Sequence, residues 1–308
     1  VFYLDGLVIT WKLITESIDT SETLNLENTK NLEAWNVVKI IHAHREDVYD
    51  IAWSPDSRYI LTASVDNTSC LLDVDKGCFL YNFRDAKHYV QGACWDPLNE
   101  YLVTISSDST CRIYNSVTKK LNCLLRKCEV FIGENNSIRK LYRDESLSSF
   151  FRRCSFSPDG QLLVTPSGIS VMNEQEIDSA TFVFLRGCWN RPHYELPTGG
   201  KDSILVRFCP NYFTLTGSSP HKMLDFEYRM IFAVATLDSV IIYDTEHLDP
   251  IGFISNIHYA VLTDLSWSHD GLFLIISSAD GFISIASFSC SSSQLIFHVK
   301  QTVSQCID

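Results

Sequence analysis

Hydrophobic and polar positions along this chain fall into short alternating runs broken by turn-forming clusters. Val48 to Trp53 alternates, Ser54-Pro55-Asp56-Ser57 interrupts, Tyr59 to Ser64 resumes, Asp66-Asn67 interrupts again, and Ser69 to Val74 and Cys78 to Phe83 complete the unit. Proline presets φ for the first turn and aspartate tolerates its bend. The runs are rich in β-branched and aromatic residues, so each predicts a short strand and the unit predicts a four-stranded meander.

The unit recurs. Trp53 to Asp66, Trp95 to Asp108 and Trp267 to Asp280 share one 13-residue step, and Phe156-Ser157-Pro158-Asp159-Gly160 begins a looser copy. A hairpin repeat of this kind cannot bury its own apolar faces, so copies must stack around an axis. The fold expected is all-β, a β-propeller of the WD-repeat type, with complete blades at 48–83, 90–125, 151–196, 203–254 and 261–300. At roughly 150 residues per domain the length suggests two domains, but blades share one core, so 1–308 reads as a single domain. Residues 1–44 supply half of another blade: Asp5 to Lys12 matches the second turn and third strand, with Trp11 placed after Asp5 as Tyr114 is after Asp108. An acidic loop from Thr15 to Glu33 leads to the outer strand Trp35 to Ile41. Closure is how a propeller removes its sheet edges. Five and a half blades therefore read as an incomplete set from a seven-bladed ring, truncated at the amino terminus, and an open edge is expected.

Charge and cysteine content narrow the partners. A formal net charge of -12 disfavours direct wrapping of nucleic acid, which demands a surplus of Lys and Arg, and suits a basic partner. The eleven cysteines are odd in number, scattered and without C-x-x-C pairs, which favours free thiols over a disulfide framework or zinc site. No apolar run is long enough to span a bilayer and no signal peptide is evident. No nucleophile elbow, phosphate-cradling loop or H-E-x-x-H helix occurs, so no catalytic, cofactor or metal site is expected. His44 sits where WD-repeat blades place the histidine that binds the turn aspartate, which predicts His44 with Asp66 through Thr62 or Ser64, and by analogy His88 with Asp108 and Ser106.

Two segments interrupt the repeat, Arg126 to Ser149 and Cys209 to Glu227, and long loops on a rigid scaffold commonly carry binding function. The first runs into Phe150-Phe151-Arg152-Arg153. Strand alternation predicts that at least one arginine, Arg152 or Arg153, projects to the channel or rim, either paired with Asp50 or Asp264 or offered to an acidic segment of a partner. Glu46, Tyr89, Phe150 and Tyr259 lie near the starts of inner strands and are the other candidate rim contacts.

Several longer stretches carry a more specific likeness: Glu46 to Ile51, Ala63 to Thr68, Tyr89 to Pro97, Ser149 to Gly160 and Ser255 to Tyr259. Together they resemble the middle, WD-repeat subunit of chromatin assembly factor one over nearly the whole chain. HIRA-type histone chaperones are similar around Trp95-Asp96-Pro97, and an unrelated WD-repeat adaptor of a ubiquitin ligase is the remaining alternative. The resemblance implies a nuclear, non-enzymatic scaffold in a three-part complex that deposits histones H3 and H4 on newly replicated or repaired DNA. The partners implied are the large and small subunits, and the histones directly or through the large subunit. DNA would be met only indirectly. A second histone chaperone would be reached through a tail that this sequence, ending at Asp308, does not include.

Overall fold

The computed structural model describes residues 6–14, 35–132, 135–173, 176–217, 223–291 and 294–301. The predicted turn at Asp5, the acidic loop 15–33 and Cys306 lie outside them. Among the described residues the regular elements are all strands, and five antiparallel sheets of four strands follow one another along the chain. The first blade consists of Val48–Trp53, Tyr59–Ser64, Ser69–Asp73 and Cys78–Phe83. Val90–Trp95, Tyr101–Ser106, Thr110–Asn115 and Leu121–Leu125 make the second. The third has Ser155–Phe156, Leu162–Asn173, Glu176–Leu185 and Tyr194–Pro197. Ser203–Phe213, Arg229–Thr236, Ser239–Asp244 and Gly252–Ser255 form the fourth, and Leu262–Trp267, Phe273–Ser278, Ile283–Ser291 and Gln294–Gln301 the fifth. Leu7–Leu13 pairs with Trp35–His42 in a separate two-stranded sheet.

Burial explains the stacking. Middle strands such as Ser69–Asp73 and Ser239–Asp244 are buried on both faces, whereas the outer strand Cys78–Phe83 is largely exposed. Each apolar cluster lies between consecutive sheets. Val8 and Ile41 meet Ile60 and Leu72, Leu61 and Leu71 meet Trp95 and Leu102, and Val103 and Ile113 meet Leu163 and Phe184. Leu162 and Val164 meet Val206 and Phe232, and Ile231 and Ala233 meet Leu265 and Ile276. At about 1.5–3 kcal/mol for each large aliphatic side chain fully buried, these inter-blade layers dominate the stability. This is the radial stacking of a five-bladed β-propeller segment.

Turn chemistry follows the repeat. The Ser54 hydroxyl accepts the Tyr59 N–H at 2.8 Å and Asp56 accepts that of Arg58 at 3.2 Å. In the matching turns Ser57, Asn99, Gly160 and Gly271 occupy the left-handed region at φ 58, 61, 73 and 68°. Inner strands also share a register shift against the second strand, between Val48 and Asp50, Val90 and Gly92, Ser203 and Leu205, and Leu262 and Asp264. Such a bulge re-aims the side chain that follows it.

The third blade departs from the pattern. Its inner strand spans only Ser155–Phe156, because the preceding backbone bonds to the neighbouring blades. Arg152 N–H donates to Gln91 O at 3.0 Å, Arg153 N–H donates to Ile204 O, and Val206 N–H donates to Arg153 O, both at 2.9 Å. Gly92 permits the approach, since a Cβ there would lie 2.0 Å from Arg152 O.

The two interruptions are partly ordered against the blades. Lys127–Ile132 and Asn135–Lys140 form a hairpin, after which Leu141 and Tyr142 are fully buried and Tyr142 bridges to Gly168. In the second, Met223 and Leu224 join the core shared by the third and fourth blades.

Candidate partner-binding rim

Inner strands converge on an axis lined by the residues that follow the bulges and by Arg153. Its Nη1 is 2.7 Å from Asp264 Oδ2 and its Nε is 3.2 Å from Asp50 Oδ1, while Nη2 donates to Tyr49 O at 3.1 Å and Nη1 to Thr263 O at 3.3 Å. The guanidinium also lies over the Phe151 ring, 4.1 Å from its centroid. Asp50 accepts the Ala93 N–H at 2.9 Å, and Arg207 Nη2 lies 3.1 Å from Asp264 Oδ1. One polar network thus ties together inner strands from all five blades. Burial raises the Asp50 carboxyl above its ordinary range, against the pull of Arg153, Arg207 and the Ala93 N–H.

Both arginines are buried, Arg152 at 0% and Arg153 at 5% exposure, which strand alternation disfavours, yet Arg153 does project to the axis, as is expected of at least one of the two. The backbone of Phe151 to Cys154 has left the pleated strand to bond sideways, so the two side chains no longer alternate between inside and outside. Arg152 donates to the carbonyls of Arg143 and Asp144, and burial lowers its guanidinium to about 10. Arg153 takes the predicted pairing with Asp50 and Asp264. Both cations are engaged inside the chain, which leaves no exposed arginine pair for an acidic segment.

Around the mouth of this axis the candidate rim residues are exposed. Phe150 is 66%, Tyr259 99% and Tyr89 49% exposed, and Glu46 is exposed with them. Phe150 stands edge-on to Tyr49 with centroids 5.9 Å apart, and Phe151 lies 6.3 Å from Tyr49 and 6.5 Å from Phe150. Partial burial, Asp47 and then Tyr89 raise the Tyr49 phenol. The structure places Tyr49, Phe150 and Phe151 close together. For Tyr259 it shows a backbone N–H donating to Asp280 at 3.0 Å and a side chain open to solvent.

The turn aspartates are held in two ways. His44 Nδ1 is 3.0 Å from Asp66 Oδ2 and its Nε2 is 2.6 Å from Thr62 Oγ1, matching the expected arrangement, with Thr68 as an additional partner. His88 does not pair with Asp108: its ring is half exposed and lies 3.7 Å from Glu145. Arg112 binds Asp108 instead, with Nη2 2.8 Å from Oδ2, and Ser106 donates to the backbone carbonyl of His88. The residue four after the aspartate decides between the two. Cys70 is small and leaves room for His44, whereas Arg112 fills the corresponding space with its own cation. Burial opposes ionisation of Asp108, yet Arg112, the Lys87 N–H and Thr110 outweigh it and hold the carboxyl down to about 2.

The sequence profile described as the CAF1B/HIR1 beta-propeller domain matches residues 4–292. The chain belongs to this family. Among curated relatives it is 42% identical to the chromatin assembly factor 1 subunit designated B in Gallus gallus, with 92% of this chain and 52% of the relative covered. Identity to the subunit of the same designation in Saccharomyces cerevisiae is 35%, covering 92% and 66%. Protein HIR1 of Kluyveromyces lactis is 26% identical, covering 92% and 32%. The chain thus spans about half the length of the first of these relatives.

One further aspartate clasp of the CAF1B/HIR1 propeller was not anticipated from the sequence. His258 Nδ1 lies 3.2 Å from Asp280 Oδ2, and the residue four after the aspartate is Ser284, again small. The signal was available, because His258 precedes Asp280 by the same 22 residues that separate His44 from Asp66. Burial opposes ionisation here too, but the N–H groups of Phe282 and Tyr259, with Ser278 and His258, bring Asp280 to about 2. Arg207 was missed for another reason: it lies away from the repeat positions, and only the convergence of strands brings it to Asp264. Among the described residues nine cysteines are free thiols, six of them buried. Among the described residues no group of three or more His, Cys, Asp or Glu is arranged to hold a metal ion, and among them no helix is long and apolar enough to cross a membrane.

Proposed function

We propose that this chain is the scaffold subunit of a nuclear histone-chaperone complex, acting by association rather than by turnover. In this reading it joins the large and small subunits of the chromatin assembly complex and helps deposit H3 and H4 on replicated or repaired DNA. Histones are met directly or through the large subunit, DNA only indirectly, and a second histone chaperone through a tail. The five sheets, with the two-stranded sheet as part of a sixth, belong to a seven-bladed ring. The observation that carries the reading is the match to the chromatin assembly factor 1 relatives across 92% of the chain. The structure supports it by what its polar groups do: the buried arginines, histidines and aspartates are engaged in holding blades together, and the exposed groups at the axis mouth form a rim suited to contact. A net charge of -12 complements a basic partner, and tethering several modest contacts raises the effective concentration of each.

The HIR1 match across 92% of the chain favours one second reading, a replication-independent histone chaperone. Affinity purification of the full-length protein with identification of its partners separates the two. Replicative H3 together with large and small assembly subunits supports the first, a variant H3 without them supports the second, and cullin-associated partners in place of histones overturn both.

A further inference from the structure

We propose that the aromatic rim formed by Tyr49 and Phe150 takes a lysine or arginine side chain carried on an extended basic segment of a partner protein. This rests on the scaffold reading and names the contact chemistry at one part of its rim. The first support is the aromatic arrangement. Tyr49, Phe150 and Phe151 stand at 5.9–6.5 Å centroid separations with planes 65–70° apart, an edge-to-face set that is stable in itself. The Phe151 ring already carries a cation, the Arg153 guanidinium 4.1 Å from its centroid. Phe150, at 66% exposure, turns a large aromatic surface to solvent at the same place, and aromatic faces attract cations through their quadrupole.

The second support is charge. Glu46 and Asp47 are exposed on the same rim, the side chain of Glu145 is 71% exposed beside His88, and Asp264 is 44% exposed at the axis. Arg45 and Lys87 stand on the shoulder, their backbone N–H groups held by Asp66 and Asp108. Setting aside His88, and Asp264 with its partners Arg153 and Arg207, Glu46, Asp47 and Glu145 still outnumber these two cations. Asp47 acts on Tyr49, helping to raise its phenol after burial, the first cause. Aromatic surface and carboxylates together select a cationic donor. The same carboxylates repel phosphate, so a nucleic acid stacking on the rings is disfavoured.

The test is fluorescence anisotropy with the full-length chain and a labelled twelve-residue peptide of alternating lysine and alanine, with a glutamate–alanine peptide and a single-stranded oligonucleotide as controls. The wild type is expected to bind the lysine peptide alone. Phe150→Ala weakens it about 3- to 30-fold, Phe150→Tyr retains it, and Glu46→Gln with Asp47→Asn weakens it with a shallower salt dependence. Because Phe150 is largely exposed, its variants are expected to melt with the wild type. Failure of the wild type to bind the lysine peptide overturns the proposal. So does binding that Phe150→Ala leaves unchanged, or preferential capture of the oligonucleotide. Co-purification of the assembly subunits by the same variants reports separately on the scaffold: peptide binding lost with the subunits retained supports the proposal, and loss of the subunits with peptide binding unchanged overturns it.

Discussion

In three of the blades a single side chain decides how the turn aspartate is held. Cys70 and Ser284 leave space for His44 and His258, while Arg112 replaces the histidine by its own guanidinium. Arg112→Leu is therefore expected to cost about 3 kcal/mol by leaving Asp108 buried and unpaired, whereas His88→Ala changes stability by less than about 0.5 kcal/mol. Urea midpoints of the two variants check the order, and equal losses would contradict the assignment. Acid stability follows from the same groups. Asp108 and Asp280 are held at about 2 in the folded chain, below their unfolded range near 3.9, so their contribution is present above about pH 4 and is lost as pH falls toward 2. Asp108→Asn with Asp280→Asn should flatten the fall in melting temperature over that window. At the axis, Arg153→Met is expected to cost about 3–5 kcal/mol because Asp50 loses its principal cation. Asp50→Asn, which removes a carboxylate already resisted by burial and keeps an acceptor for Ala93, should cost less than about 1 kcal/mol, and the double variant less than the sum of the singles.

At the scale of the element, turns and strands follow local chemistry, and the third blade shows where local chemistry stops. Ser54-Pro55-Asp56-Ser57 and its copies encode their turns through proline, aspartate and a left-handed fourth position, and the structure has them there. The run Phe150 to Phe156 reads as one more inner strand, yet Arg152 bonds to the second blade and Arg153 to the fourth. The reason is Gly92, which lacks the side chain that would block Arg152 O. Gly92→Ala should cost about 2–3 kcal/mol through displaced backbone, and a thermal denaturation series with Gly92→Ala beside a neutral surface variant checks it. Burial of both Arg152 and Arg153 is a consequence of this detour, so it could not be seen in the alternation of the third blade alone. The hairpin at Lys127–Lys140 was similarly hidden, because its polar sequence carries a weak strand pattern and its pairing is with itself.

For the whole molecule, stacking places the apolar layers between sheets and leaves charged groups to the axis and rim. On the proposed function, a chain of net charge -12 should release basic partners progressively as ionic strength rises and the Debye length falls from about 10 Å at 0.1 M to about 3 Å at 1 M. Pull-down of its partners across that range is expected to show a steep decline, and capture that persists unchanged at 1 M would contradict an electrostatic rim. Charge reversal at Arg152 and Arg153 is expected to lower the melting temperature, since both cations hold blades together rather than face a partner.

Taken alone, the sequence determined most of the blade strands, the turns, the repeat and hence the radial stacking, because period-two alternation and turn residues act over a few positions and a repeated hairpin has only its copies to pack against. Tertiary structure decided which cation meets which aspartate, that both arginines lie inside, and which aromatics share the axis mouth. Those outcomes depend on atoms brought together from positions up to about a hundred residues apart, such as Arg153 with Tyr49 and Thr263, and on the room one neighbouring side chain leaves for another.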